Sequence, residues 1–182
     1  MEGRERLRLF LALLLPDEAL TRLATWQDEE LGAPADARVV PRENLHVTVA
    51  FLGSTDASKL EGIASAVRAR AGESELPVFE PLRYRETRSV GMLVLGEESG
   101  RAAALAVNLQ ERLEELGVYR REDRPWLPHV TVLRFRERPR LRPAPPRLAP
   151  FHPSDAAAYL SRLHPSGARY EVLESFALGG QR

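Results

Sequence analysis

Two copies of one tetrapeptide, His46-Val47-Thr48-Val49 and His129-Val130-Thr131-Val132, stand 83 residues apart in a chain with only four histidines. Side chains alternate faces along an extended strand, so each histidine shares a face with its threonine and the valines share the other. Residues two apart lie roughly 6.6–6.8 Å from each other along a strand, a spacing at which an imidazole and a hydroxyl can both touch one phosphate-sized group. If the copies meet across an approximate two-fold axis, the site holds two imidazoles and two hydroxyls. Displacement at phosphorus needs a base for the attacking oxygen and an acid for the leaving one. Histidine, with a reference pKa of about 6.5, can be either near neutral pH. The hydroxyls can donate to non-bridging oxygens. A lone strand histidine is more often structural, and it is the identical pair that points to chemistry. His152 and His164 have no such echo and both precede prolines, so they are expected to be structural or exposed.

Other chemistries fit poorly. Neither tetrapeptide contains a carboxylate or the paired spacing of H-E-x-x-H, and two His with two Thr is a poor zinc set. No G-x-S-x-G motif is present. With no cysteine in the chain, disulfides, thiolate metal sites and a cysteine nucleophile are excluded. No metal and no cofactor are expected.

The 182 residues suit one domain, or two small lobes sharing a site, and 43% hydrophobic residues are enough for a core. Lys and Arg balance Asp and Glu at 26 each, so the chain lacks the basic excess of a protein that coats nucleic acid; an RNA partner would be gripped locally. The positive charge is almost all arginine, whose planar fork suits phosphate. Arg4, Arg6 and Arg8 followed by the apolar run Leu9–Leu15 superficially resemble a leader, but Pro16-Asp17-Glu18 follows at once with no small-residue cleavage site. The run reads as a buried first strand and is too short to span a bilayer. A cytoplasmic protein with no membrane partner is expected. No heptad run or long apolar patch demands a dimer, so a monomer is expected.

Leu7–Leu15 reads as a strand, and Asp17 can cap a helix running to about Leu31. Asn44 to Gly53 reads as a strand, and Ser54 or Thr55 starts a second helix that Gly72 closes. Val78–Tyr84 and Val90–Leu95 read as paired strands. A helix from Ser99 through Leu116 ends at Gly117, and Pro125 to Phe135 is another strand. Residues 136–150 read as a proline-rich loop, and Tyr159–Leu163 with Tyr170–Leu178 as a closing hairpin. Short turns between adjacent strands suggest antiparallel pairing, so the fold class is α+β. The repeated tetrapeptide, each copy after a helix-containing segment, suggests a duplicated unit.

The two HxTx motifs resemble those of the 2H phosphoesterase superfamily. Leu9-Phe10-Leu11-Ala12-Leu13, the stretch from Asn44 to Gly53, the stretch from Arg124 to Val132 and the tail Ser161-Arg162-Leu163 with Ala168 to Leu173 are similar to its LigT/ThpR-like branch, the RNA 2′,3′-cyclic phosphodiesterases historically called 2′-5′ RNA ligases. The resemblance covers about residues 6 to 178. It implies a bilobal, pseudo-two-fold duplicated fold, in which two antiparallel sheets face a central cleft with helices outside, residues 1–182 forming one domain of two intertwined lobes. It implies metal-independent hydrolysis of RNA 2′,3′-cyclic phosphate ends to 2′-phosphomonoesters, possible reversal as 2′-5′ ligation, and RNA ends or cyclic nucleotides as partners. By motif position His46 is the proton donor, His129 the proton acceptor, and Thr48 and Thr131 the phosphate ligands. Relatives also carry an arginine five residues after the second histidine, here Arg134. Two departures are Leu133, where relatives often have a small residue, and the strand Met92–Leu95, which lacks their aromatic. Two other readings stay open: a 2H enzyme for small cyclic nucleotides or ADP-ribose cyclic phosphate, and an RNA-end-binding module without turnover.

Arg134 carries a structural demand. On a regular strand it has the opposite parity to His129 and Thr131 and would point with Val130 and Val132 into the core, where an unpaired guanidinium is costly. Either the strand ends near Val132 or a bulge resets the alternation, as happens beside active sites.

Overall fold

A computed structural model describes residues 5–32, 34–73 and 75–180. Arg4, which the sequence reading used, lies outside the described residues. The elements are β1 (Arg6–Leu14), α1 (Asp17–Trp26), β2 (Ala37–Val39), β3 (His46–Asp56), α2 (Leu60–Glu73), β4 (Glu80–Glu86), β5 (Val90–Gly96), α3 (Arg101–Glu115), β6 (His129–Phe135), β7 (Asp155–Arg162) and β8 (Arg169–Ala177). The strands pair antiparallel in the order β4-β5-β6-β3-β1-β7-β8, with β2 alongside β6. The two expected sheets are therefore halves of one. A single residue pair, Val47↔Val130, joins β3 to β6 at the centre, and beyond it the strands part to leave the cleft.

The apolar first run is a central strand covered on both faces. Leu9, Leu11 and Leu13 enter the main core under the helices. Phe10 and Ala12 face the other way and pack with Ala157 and Tyr159 in a small separate cluster. Each fully buried leucine contributes about 1.5–3 kcal/mol, which holds α1, at ten residues marginal alone, onto the sheet.

Several boundaries move from their sequence-based positions. Asp17 is the first residue of α1 rather than its cap, because Pro16 holds the extended backbone that precedes the helix. The second helix starts later than Ser54 or Thr55: β3 continues to Asp56, whose carboxylate accepts from the Ser58 N–H. The strand expected from Pro125 begins at His129, since Pro125 and Pro128 cannot donate to a ladder. Strand β2 escapes sequence reading, its three residues being too short for periodicity. Gly117 does end α3, in the left-handed region at φ 70°, with its N–H and that of Val118 closing on Glu114 and Leu113 carbonyls.

Candidate active site

The central pair brings the two motifs together. The antiparallel register around Val47↔Val130 puts His46 across from Thr131 and Thr48 across from His129. Both valines are fully buried, while the histidines and threonines are half-buried on the opposite face. A cleft of about 500 Å³, within the range of small-molecule sites, is lined by His46, Thr48, Thr131 and Arg134 among others. His129 lies beside this wall, near enough for its charge to act on His46.

Each imidazole is oriented in the same way. Nδ1 of His46 lies 2.7 Å from the Asn44 carbonyl oxygen, and Nδ1 of His129 lies 2.8 Å from that of Leu127. A carbonyl can only accept, so both Nδ1 atoms carry hydrogen and both Nε2 atoms are free for proton transfer. Nε2 of His46 meets the Thr48 hydroxyl at 3.1 Å.

The surroundings differ. His46 sits among Phe10, Tyr170 and Tyr159, with ring centroids 5.0, 5.5 and 5.8 Å away. Burial pushes its pKa down to about 4, against the pull of the Asn44 carbonyl, and the charges of Arg134 and His129 add to the depression. No aromatic ring contact is made by His129 among the described residues.

Strand β6 carries the irregularity that Arg134 demands. Gly91 and Met92 of β5 are consecutive, yet their partners are Leu133 and Thr131, so Val132 is the extra residue of a bulge. Val132 and Leu133 are both fully buried, the alternation resets, and Arg134 emerges in the cleft. Leu133 is thus the second core residue of the bulge. Strand β3 bulges at the matching place: Leu11 and Ala12 pair with Ala50 and Thr48, Val49 is extra, and Phe51 turns into the cleft five residues after His46. Phe51 is 49% exposed, and the Arg8 guanidinium stacks 4.8 Å over its ring. Sequence reading did not single out Phe51, Arg8, Arg38 or Tyr170 as site residues, and all four line the cleft. The repeat offset could have found Phe51, since 51 + 83 is 134.

That offset also relates two buried glutamines. Gln27 opens the single π-helical turn after α1, and Gln110 lies in α3, 83 residues on. Gln27 Nε2 donates to the Val132 and Val40 carbonyls at 2.9 and 3.0 Å; Gln110 Nε2 donates to the Val49 carbonyl at 2.9 Å. Each repeat's helix therefore clamps the bulge of the other repeat's motif strand. The wider turn at Gln27, where the α-helical ladder gives way, accompanies this inward reach.

His152 and His164 stay outside the cleft. The first has Nδ1 2.9 Å from the Pro77 carbonyl oxygen, and the second is exposed beside Ser166. No three His, Asp or Glu side chains among the described residues cluster as a metal ion would need. No helix among them is long and apolar enough to cross a membrane.

The family model of the 2′-5′ RNA ligase superfamily matches residues 15–164. The chain belongs to that superfamily. An RNA 2′,3′-cyclic phosphodiesterase of Methanocaldococcus jannaschii is 26% identical over 182 residues, covering 93% of this chain and all of the relative. Among solved structures, apo Escherichia coli LigT superposes with a TM-score of 0.77 at 27% identity, covering 96% of this chain and 99% of LigT. LigT complexed with 3′-AMP gives a TM-score of 0.73 at 25% identity, covering 96% and 98%. This superfamily member shares with LigT the arrangement of strands that carries both motifs.

Proposed function

We propose that the protein hydrolyses the 2′,3′-cyclic phosphate end of RNA to a 2′-phosphomonoester. The observation that carries this reading is the pair of Nε2 atoms freed by backbone-anchored Nδ1–H groups on two facing strands. Thr48, Thr131 and Arg134 hold the phosphate oxygens. His129 takes a proton from water as its oxygen bonds to phosphorus. The P–O3′ bond breaks, and His46 delivers a proton to O3′. A 5′-hydroxyl in place of water would give the 2′-5′ linkage by the same transfers. His46, held down chiefly by burial in the free protein, gains its proton when the anionic phosphate beside it favours the charged imidazole. The curated relative's activity and the 3′-AMP complex of LigT support a nucleotide phosphate in this cleft.

No metal or cofactor enters these steps. The exposed large apolar side chains, Phe51, Val78, Leu82, Val107, Leu127, Leu163 and Val172, are scattered over separate elements, which suits a monomer. A small cyclic nucleotide is the alternative substrate, and a module without turnover would have no use for two free Nε2 atoms. The test is product analysis with an oligoribonucleotide ending in a 2′,3′-cyclic phosphate, with and without EDTA. A 2′-phosphate product at an EDTA-insensitive rate is expected. Activity lost to chelator and restored by zinc or manganese overturns the mechanism.

A further inference from the structure

The chain as a whole is neutral, but its cleft is not. Arg8, Arg38 and Arg134 line it together with His46, and among the described residues no Asp or Glu does. None of the three arginines has a carboxylate partner among the described residues, whereas Arg42, Arg101 and Arg121 on the outer elements are paired to Asp17, Glu75 and Glu111 with Glu114. Two of the cleft arginines also face each other: Arg38 of β2 is the cross-strand partner of Arg134 of β6. Like charges directly opposite are destabilising unless an anion lies between or beside them. Both are exposed in the cleft, where an anion can reach them.

One phosphate does not use all these donors. The Thr48 and Thr131 hydroxyls and the Arg134 fork already serve the two non-bridging oxygens of a single cyclic phosphate, with His46 directed at O3′ and His129 at water. Arg38 lies one strand further out than Arg134, and Arg8 lies beyond Phe51 on β1, away from His46. A 2′,3′-cyclic mononucleotide carries only its cyclic phosphate. The last nucleotide of an RNA strand carries in addition the phosphodiester on its 5′ side.

We propose that Arg8 and Arg38 form an outer phosphate subsite that takes this preceding phosphodiester, so that the protein selects the end of an RNA strand over a free cyclic mononucleotide. The inference rests on the proposed phosphodiesterase reading and adds the substrate's second contact. It also sets the direction of the strand, which leaves the motifs past Phe51 and β2. The opposite direction would follow Arg83 and Arg85 of β4, which share the His129 side of the sheet through the registers Arg83↔Val94↔His129 and Arg85↔Met92↔Thr131.

The experiment compares kcat/KM for a 2′,3′-cyclic mononucleotide and for a short oligoribonucleotide with the same 3′ end, over a range of salt. The unmodified protein should prefer the oligonucleotide. Arg8→Gln and Arg38→Gln should each lower that preference about fivefold, as loss of an exposed ion pair does. Each should also flatten the log–log salt dependence for the oligonucleotide by about 0.7. Arg38→Lys, which keeps the charge, should retain the slope. Equal losses on both substrates, an unchanged slope, or a preference lost in Arg83→Gln but kept in Arg38→Gln each overturn the subsite while leaving the chemistry intact. If neither substrate turns over, the phosphodiesterase reading fails instead. Anisotropy with an oligonucleotide ending in a 2′-phosphate then still tests the subsite, through the salt slope of binding in the same variants.

Discussion

The repeat that begins at β1 and the repeat that begins at β5 build the same frame around different surroundings. In both, a strand pairs antiparallel with the motif strand in the same register: Leu14↔His46, Leu13↔Val47 and Ala12↔Thr48 in one, Val94↔His129, Leu93↔Val130 and Met92↔Thr131 in the other. Both motif strands bulge after the threonine, and both helices supply a buried glutamine to the opposite bulge. Around that frame the residues diverge. Phe10, opposite Phe51, has Val90, opposite Arg134, as its counterpart. His46 is packed among three aromatic rings, whereas the strand beyond His129's neighbour offers the exposed Arg83 and Arg85. Symmetric backbone geometry thus places two like-oriented imidazoles in unlike surroundings. The packing keeps His46 neutral in the free protein, so its role as the acid depends on the bound phosphate restoring its proton.

The sharpest break of the comparison removes the imidazoles themselves. His46→Ala and His129→Ala should each lower kcat by about 10²–10⁴, and the double variant should lose far less than the product, because both act on one step. Single-turnover rates of the three variants check this; a fully multiplicative loss would mean that the two act independently.

Next in size is the residue pair at the bulges. Arg134→Ala should cost about 10- to 100-fold in kcat/KM, the worth of a charge-assisted hydrogen bond. Gln27→Leu leaves buried carbonyls short of a donor, which should lower stability by about 1–3 kcal/mol and loosen Arg134. In a double-mutant cycle Gln27→Leu should couple to Arg134→Ala, and Gln110→Leu to Phe51→Ala, because each glutamine clamps the bulge that aims that side chain. Coupling that follows the same repeat, rather than crossing between repeats, would refute the clamp.

The smallest effect is read without turnover. His46, held at about 4 in the free protein, should stay neutral at pH 5.5 in an NMR titration, and inorganic phosphate should raise its pKa. The free enzyme's kcat/KM profile should show one limb near 4, with the corresponding limb of kcat at higher pH. A histidine whose pKa is depressed on folding binds more protons unfolded, so its contribution is full above about 6.5 and is lost as pH falls toward 4. His46→Phe, which keeps a ring among the aromatics, should therefore weaken the acid destabilisation between those values. An unchanged acid limb of stability would show that burial does not hold His46 neutral.

Much of this was fixed along the chain itself. The alternation in His-Val-Thr-Val sets which side chains share a face, its repetition implies a duplicated unit, and the short turns between strands imply antiparallel pairing. The parity of Arg134 against His129 required either a strand end near Val132 or a bulge if that arginine was to reach the cleft, because a regular strand has a period of two, and the structure has the bulge. The tertiary structure decided what no local period encodes. Whether the halves form two sheets or one depends on the single contact Val47↔Val130. The clamps of Gln27 and Gln110 reach across 105 and 61 residues. The difference between the two imidazoles comes from Phe10, Tyr159 and Tyr170, which lie on separate strands and meet His46 only when the sheet closes. A pKa responds to desolvation, and desolvation is a property of the packed neighbourhood rather than of the tetrapeptide.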